Sequence, residues 1–138
     1  MSDINNMVNG EMNENVDADR FRVVLCGANA YEKKYYFNNK FDKIPENIKE
    51  ELHIICVLFT EEVGGIFTIG FTPYGDVEMD TQREEDDLLY DEIGAERLQK
   101  EIRRKKADMF RALSIYFKVT FLHQDAAELL EQDDEEED

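Results

Sequence analysis

Few residues in this chain are of a type and spacing that could do chemistry: two cysteines, two histidines, a dense acidic cluster and a dense basic run. Cys26 precedes Gly27-Ala28-Asn29, which reads as a turn, and a turn can expose a thiolate for nucleophilic or redox work. A reactive thiol needs a base or a positive field beside it, and neither His53 nor His123 stands at a spacing that supplies one. A small enzyme or thiol sensor using Cys26 is therefore the alternative, and a structural cysteine the favoured reading. Cys56 falls within an apolar helical arc and reads as a small core residue.

Glu84, Glu85, Asp86, Asp87, Asp91 and Glu92 could offer oxygen ligands to Mg²⁺ or Ca²⁺, with Asp87 and Asp91 on one face of a helix. The glycine and the final glutamate of a calcium-binding loop are missing. A charge cluster opposing the positive end of a helix is the simpler reading, with a divalent-metal module as the alternative. Arg97, Lys100, Arg103, Arg104, Lys105 and Lys106 crowd six bases into ten residues, which could attract phosphate backbones. No aromatic residue interleaves them over 97–109, and acids surround them, so nucleic acid is disfavoured. A solvated face or a protein contact fits better. Lys105 is the exception, since it falls near the centre of an apolar arc and must snorkel, pair with Glu101 or meet an acid on a partner. Glycine-rich phosphate loops, zinc spacings and Ser/His/Asp sets are absent. The sequence thus assigns no catalytic residue, no cofactor and no metal site.

The elements that must position these residues follow from periodicity. Phe21, Val23 and Leu25 alternate as a short strand that stops at Gly27, and the aromatic-rich YEKKYYFN predicts a second strand around 33–38. Pro45 suits a first helical turn and Gly64 a left-handed cap, which predicts a helix from about 45 to 63. On it Ile48, Leu52, Ile55, Cys56, Phe59 and Val63 share an arc of about 100°. Ile54, Val57 and Leu58 lie off that arc. Either another helix of the chain covers them, or they form a homodimer seam or a protein-binding patch. Phe67, Ile69 and Phe71 alternate up to the turn Pro73-Tyr74-Gly75-Asp76, and Val77 and Met79 resume the alternation, so 66–81 reads as a β-hairpin. Residues 84–93 suggest a short acidic helix ended by Gly94, or the start of a longer one. From Ala95, Leu98, Ile102, Met109, Leu113 and Tyr116 predict a long helix to about 118.

The formal net charge of −17 over 138 residues is concentrated at the ends. Residues 1–19 hold five acids and 125–138 hold nine, with no base in either, which leaves 19 acids against all 16 bases between them. Both ends read as disordered acidic tails around a single domain at 20–124. Two distant cysteines make no disulfide framework, no leader peptide or membrane span is apparent, and the expected location is the cytoplasm.

The phrases VVLCGANAYEKKYYFN (23–38), CVLFTEEVGG (56–65) and LLYDEIG (88–94) resemble an uncharacterised family of small acidic bacterial proteins, a domain of unknown function, over about residues 22–122. The resemblance implies membership and carries no substrate, cofactor or active site. The expectation is an α+β domain in which a small antiparallel sheet with a central hairpin is packed by a buried helix and a long C-terminal helix. Its expected role is a non-catalytic interaction or regulatory module, with Ile54, Val57, Leu58, Arg97, Arg104 and Lys105 as the candidate contact residues and a protein partner or homodimer as the occupant.

Overall fold

The computed structural model describes residues 20–137, with side chains through Glu131. The expected disordered segment 1–19 lies outside these residues. The fold is α+β, in the order β1 (Val23–Asn29), β2 (Lys34–Phe37), a short 3-10 turn (Asn39–Phe41), α1 (Glu46–Val63), β3 (Ile66–Phe71), β4 (Val77–Gln82), α2 (Glu92–Lys105), α3 (Ala107–Thr120) and α4 (Ala126–Glu137). The four strands form one antiparallel sheet in the order β2-β1-β3-β4. No helix among the described residues is long and apolar enough to cross a membrane.

The apolar arc read from the sequence is the arc that α1 buries. Leu52, Ile55, Cys56, Phe59 and Val63 all lie in the core, while Ile48 packs against its margin. α1 lies across β1 and β3, and the Phe59 ring stacks on Phe67 with centroids 4.1 Å apart. Gly64 and Gly65 then turn the chain with φ of 87° and 75°, the left-handed region that glycine tolerates. A Cβ at Gly65 would strike the Gln82 carbonyl and the Tyr90 ring. The expected hairpin forms from Ile66 opposite Gln82 to Phe71 opposite Val77. At the far end of the core, Phe71 stacks on Phe117 of α3 at 4.3 Å, with Phe41 and Phe121 packed around them.

Four boundaries differ from expectation, each for a local reason. β1 does not stop at Gly27 but runs through it to Asn29. The glycine serves close approach rather than a turn, because a Cβ there would sit 2.8 Å from the Phe67 carbonyl oxygen of β3. A bulge between Val24 and Cys26 lets Leu25 and Cys26, consecutive residues, both be fully buried. The long C-terminal helix is two helices, broken at Lys106 (φ −106°, ψ 20°), so that α2 lies beside α1 while Phe110, Leu113 and Phe117 of α3 enter the core. Residues 84–91 are irregular, and Gly94 lies inside α2 rather than ending a helix: the Asp91 carboxylate accepts from Gly94 N–H and starts α2 there. Finally, the stretch expected to be a disordered acidic tail carries α4, which buries Leu129.

Since Phe59 fills the contact between α1 and the hairpin, Phe59→Ala is expected to cost about 3–5 kcal/mol. Urea unfolding checks this through a lower midpoint at unchanged slope.

Candidate functional site

Cys26 is not at a turn and not exposed. It sits in β1, fully buried, with its Sγ 3.8 Å from that of Cys56 on α1. Burial pushes the Cys56 thiol well up, with the Cys26 thiol as the next cause, so the thiolate needed for attack is disfavoured there. Beside the pair, the buried Tyr35 hydroxyl has no nitrogen or oxygen hydrogen-bond partner among the described residues and faces the two thiols. Its pKa is also raised, by burial first and then by the two neighbouring thiols. The Tyr35 ring stacks on the exposed ring of His53 with centroids 4.1 Å apart. These rings form one wall of a cleft of about 550 Å³ that Asn29, Lys33, Val57, Thr60 and Glu61 also line. Two of its polar residues are already engaged: Asn29 Oδ1 accepts from Tyr31 and Glu32 N–H, and the Thr60 hydroxyl donates to the main chain of α1. His123, the other histidine, is exposed near the end of α3.

The acidic cluster acts as a scaffold for its own loop. The Tyr31 hydroxyl donates to Asp87 Oδ2 at 2.5 Å and accepts from Glu84 N–H, and Asp87 Oδ1 accepts from Leu89 N–H. Arg83 Nη1 reaches the carbonyls of Glu84, Glu85 and Asp87 from beneath, and Asp91 N–H donates to Val63 O. Among the described residues no group of three or more His, Cys, Asp or Glu side chains is arranged to hold a metal ion. The Tyr31 hydrogen bond holds the Asp87 carboxyl below its usual range.

Ile54, Val57 and Leu58 are not covered by the helices that follow. Ile54 and Leu58 are each 57 % exposed, and Val57 is half-buried at the edge of the cleft. Instead α2 lies antiparallel beside α1, tied at its two ends by Arg97 to Glu62 (3.3 Å) and Lys106 to Glu51 (2.6 Å). Glu51, Ile55, Leu58 and Glu62 form one ridge of α1, so Leu58 lies between the two ion pairs. Counting inward from those pairs places Ile54 beside the Arg103–Lys105 turn and Leu58 beside the Gln99–Glu101 turn. Helical phase puts Ile93, Arg97, Lys100 and Arg104 on one outward strip of α2, with Lys105 nearer α1, where it pairs with Glu101 at 3.1 Å. Ile54, Leu58, Arg97, Arg104 and Lys105 thus lie along the two helices α1 and α2, while Val57 turns to the cleft that Tyr35 and His53 line.

Sequence reasoning missed another exposed apolar feature. Leu88, Leu89 and Ile93 are 92 %, 93 % and 83 % exposed. The available signal was three large aliphatic residues set among six acids, and it was obscured by reading 84–93 as a helix, whose fourth-neighbour spacing would have given some of them a covered side.

Residues 22–125 match the model of a family described as a family of unknown function (DUF6145), and the chain belongs to that family. Comparison with curated proteins and with solved structures returns no match.

Two measurements check the chemistry of this region. Cys26 and Cys56 are expected to resist iodoacetamide in the native protein and to label together on denaturation; native labelling of Cys26 would restore the thiol reading. In a carboxyl titration followed by NMR, Asp87 is expected to titrate below the ordinary value of about 3.9, and Tyr31→Phe to move it up toward that value. Because the folded pKa is the lower one, the loop contact is fully present above the ordinary carboxylate range and is lost as pH falls through the depressed value.

Proposed function

We propose that this member of the family is a non-catalytic module of the cytoplasm that binds another protein through its α1–α2 face. The observation that carries the reading is the exposure of Ile54 and Leu58 on a helix whose opposite side is sealed into the core. Hydrophobic side chains scattered singly on a surface need no explanation, but here two adjacent turns of one helix present them beside Arg97, Arg104 and Lys105. All three cations are exposed. The surface that fits such a face presents aliphatic side chains framed by carboxylates. Fully burying a Leu or Ile is worth about 1.5–3 kcal/mol, and half of each is already buried. Ile54 and Leu58 alone therefore supply roughly 2 kcal/mol, too little against the cost of association, so the partner must also engage the charges and further apolar surface. Two buried thiols held close together suit a reducing compartment.

The test uses a photo-crosslinking amino acid at Val57, introduced in cells with and without Ile54→Lys/Leu58→Lys. A discrete adduct that disappears in the double variant, while the melting temperature stays within about 2 °C, is the expected result. Identical crosslinking in both proteins, or no adduct above background, would overturn the reading.

A further inference from the structure

The acidic loop and the basic half of α2 adjoin in the chain and are opposite in character. Residues 83–96 hold seven acids and one base; residues 97–111 hold seven bases and two acids. Each half carries its own apolar residues: Leu88, Leu89 and Ile93 on the acidic half, and Ile54 and Leu58 of α1 alongside the basic half. The surface that the Ile54–Leu58 patch calls for, aliphatic side chains framed by carboxylates, is thus present on this chain itself. Ile54 lies at the far end of α2 from the acidic loop, about 18 Å away at 1.5 Å per residue from Glu92 to Arg104, with Leu58 beside the middle of the helix.

We infer that the partner of this face is a second copy of the chain, paired antiparallel about a two-fold axis so that Leu88, Leu89 and Ile93 of each protomer cover Ile54 and Leu58 of the other. The inference rests on the proposed role of the α1–α2 face. Two features of the structure favour closure as a dimer. Helical phase sets Ile93 of the acidic half and Arg97, Lys100 and Arg104 of the basic half on one outward strip of α2, so a two-fold rotation about its middle engages both at once and leaves no free end, whereas halves on different faces would propagate a chain. The loop is also held in place before binding: Tyr31, Arg83 and Asp87 bond its main chain while its leucines point outward. A knob ordered in advance loses little entropy on docking. The axis passes near the middle of α2, setting the acids of 84–92 opposite the bases of 100–106. Like charges would face each other in a parallel pairing, so the pattern also selects the orientation.

Sedimentation equilibrium of the full chain tests this. At 100 µM in low salt the expected mass is twice 16.2 kDa, with the dissociation constant rising at least tenfold in 1 M NaCl. Leu88→Glu/Leu89→Glu, at positions too exposed to affect folding, is expected to give a monomer, and Arg104→Glu to weaken the dimer at least tenfold. A chain that is monomeric at 100 µM overturns the inference, as does a dimer indifferent to both variants. The Val57 crosslink separates the two levels: an adduct of twice the chain's mass supports self-pairing, an adduct with a different protein keeps the face but removes the second copy, and no adduct removes both.

Discussion

The contact on which the rest of this structure depends is the buried arc of α1 against β1 and β3. Phe59 stacked on Phe67, with Leu52, Ile55, Cys56 and Val63 around it, anchors the helix to the sheet before any later element contributes. Gly64 and Gly65 make that packing compatible with chain connectivity, since only residues free to adopt positive φ let β3 start immediately below the end of α1. The remaining helices are placed by what α1 leaves open. α2 takes the flank, fixed by ion pairs at each end, and α3 closes the far end of the sheet through the Phe71–Phe117 stack. Exposed ion pairs are worth little individually. Those at Glu62 and Glu51 matter more for setting the antiparallel register of the two helices than for stability.

Elements whose apolar residues keep one strong period were legible in the sequence. The α1 arc and the alternation of Phe67, Ile69 and Phe71 state both the element type and the covered face, because each follows from a single period against a single core. What local pattern misjudges is the meaning of glycine and aspartate. Gly27 looks like a stop but is a close-approach residue whose requirement comes from β3, forty residues away. Gly94 looks like a helix end, yet Asp91 starts the helix three residues earlier by accepting its N–H. The break at Lys106 is invisible to periodicity, because α2 and α3 keep nearly the same apolar phase while packing on different neighbours.

For the candidate face, periodicity supplied half. Ile54, Val57 and Leu58 stood out because they violate the α1 arc, and a violation of a strong pattern is more informative than a match. Leu88 and Leu89 violate nothing, since no period governs an irregular loop. Their exposure is decided by long-range hydrogen bonds from Tyr31 and by the arginine beneath the loop, neither of which can be read from 84–93 alone.

That dependence bears on why the leucines are exposed at all. A flexible loop with two adjacent leucines would be expected to turn them onto the nearest apolar surface, since burial is favourable and little would oppose the motion. Here Leu89 N–H is bonded to Asp87, Asp87 to Tyr31, and Asp91 N–H to the last turn of α1, so the main chain on both sides is committed before the side chains can choose. Tyr90, between them, packs inward over Gly64 and Gly65. With Tyr90 directed inward and its neighbours' main chain held, Leu89 has no inward path. The acids around it do two things between them: the Asp87 and Asp91 carboxylates hold the main chain, and the charge of the cluster keeps a pair of bare leucines solvated. The same residues that make the cluster look like a metal site are thereby what gives the face its polarity.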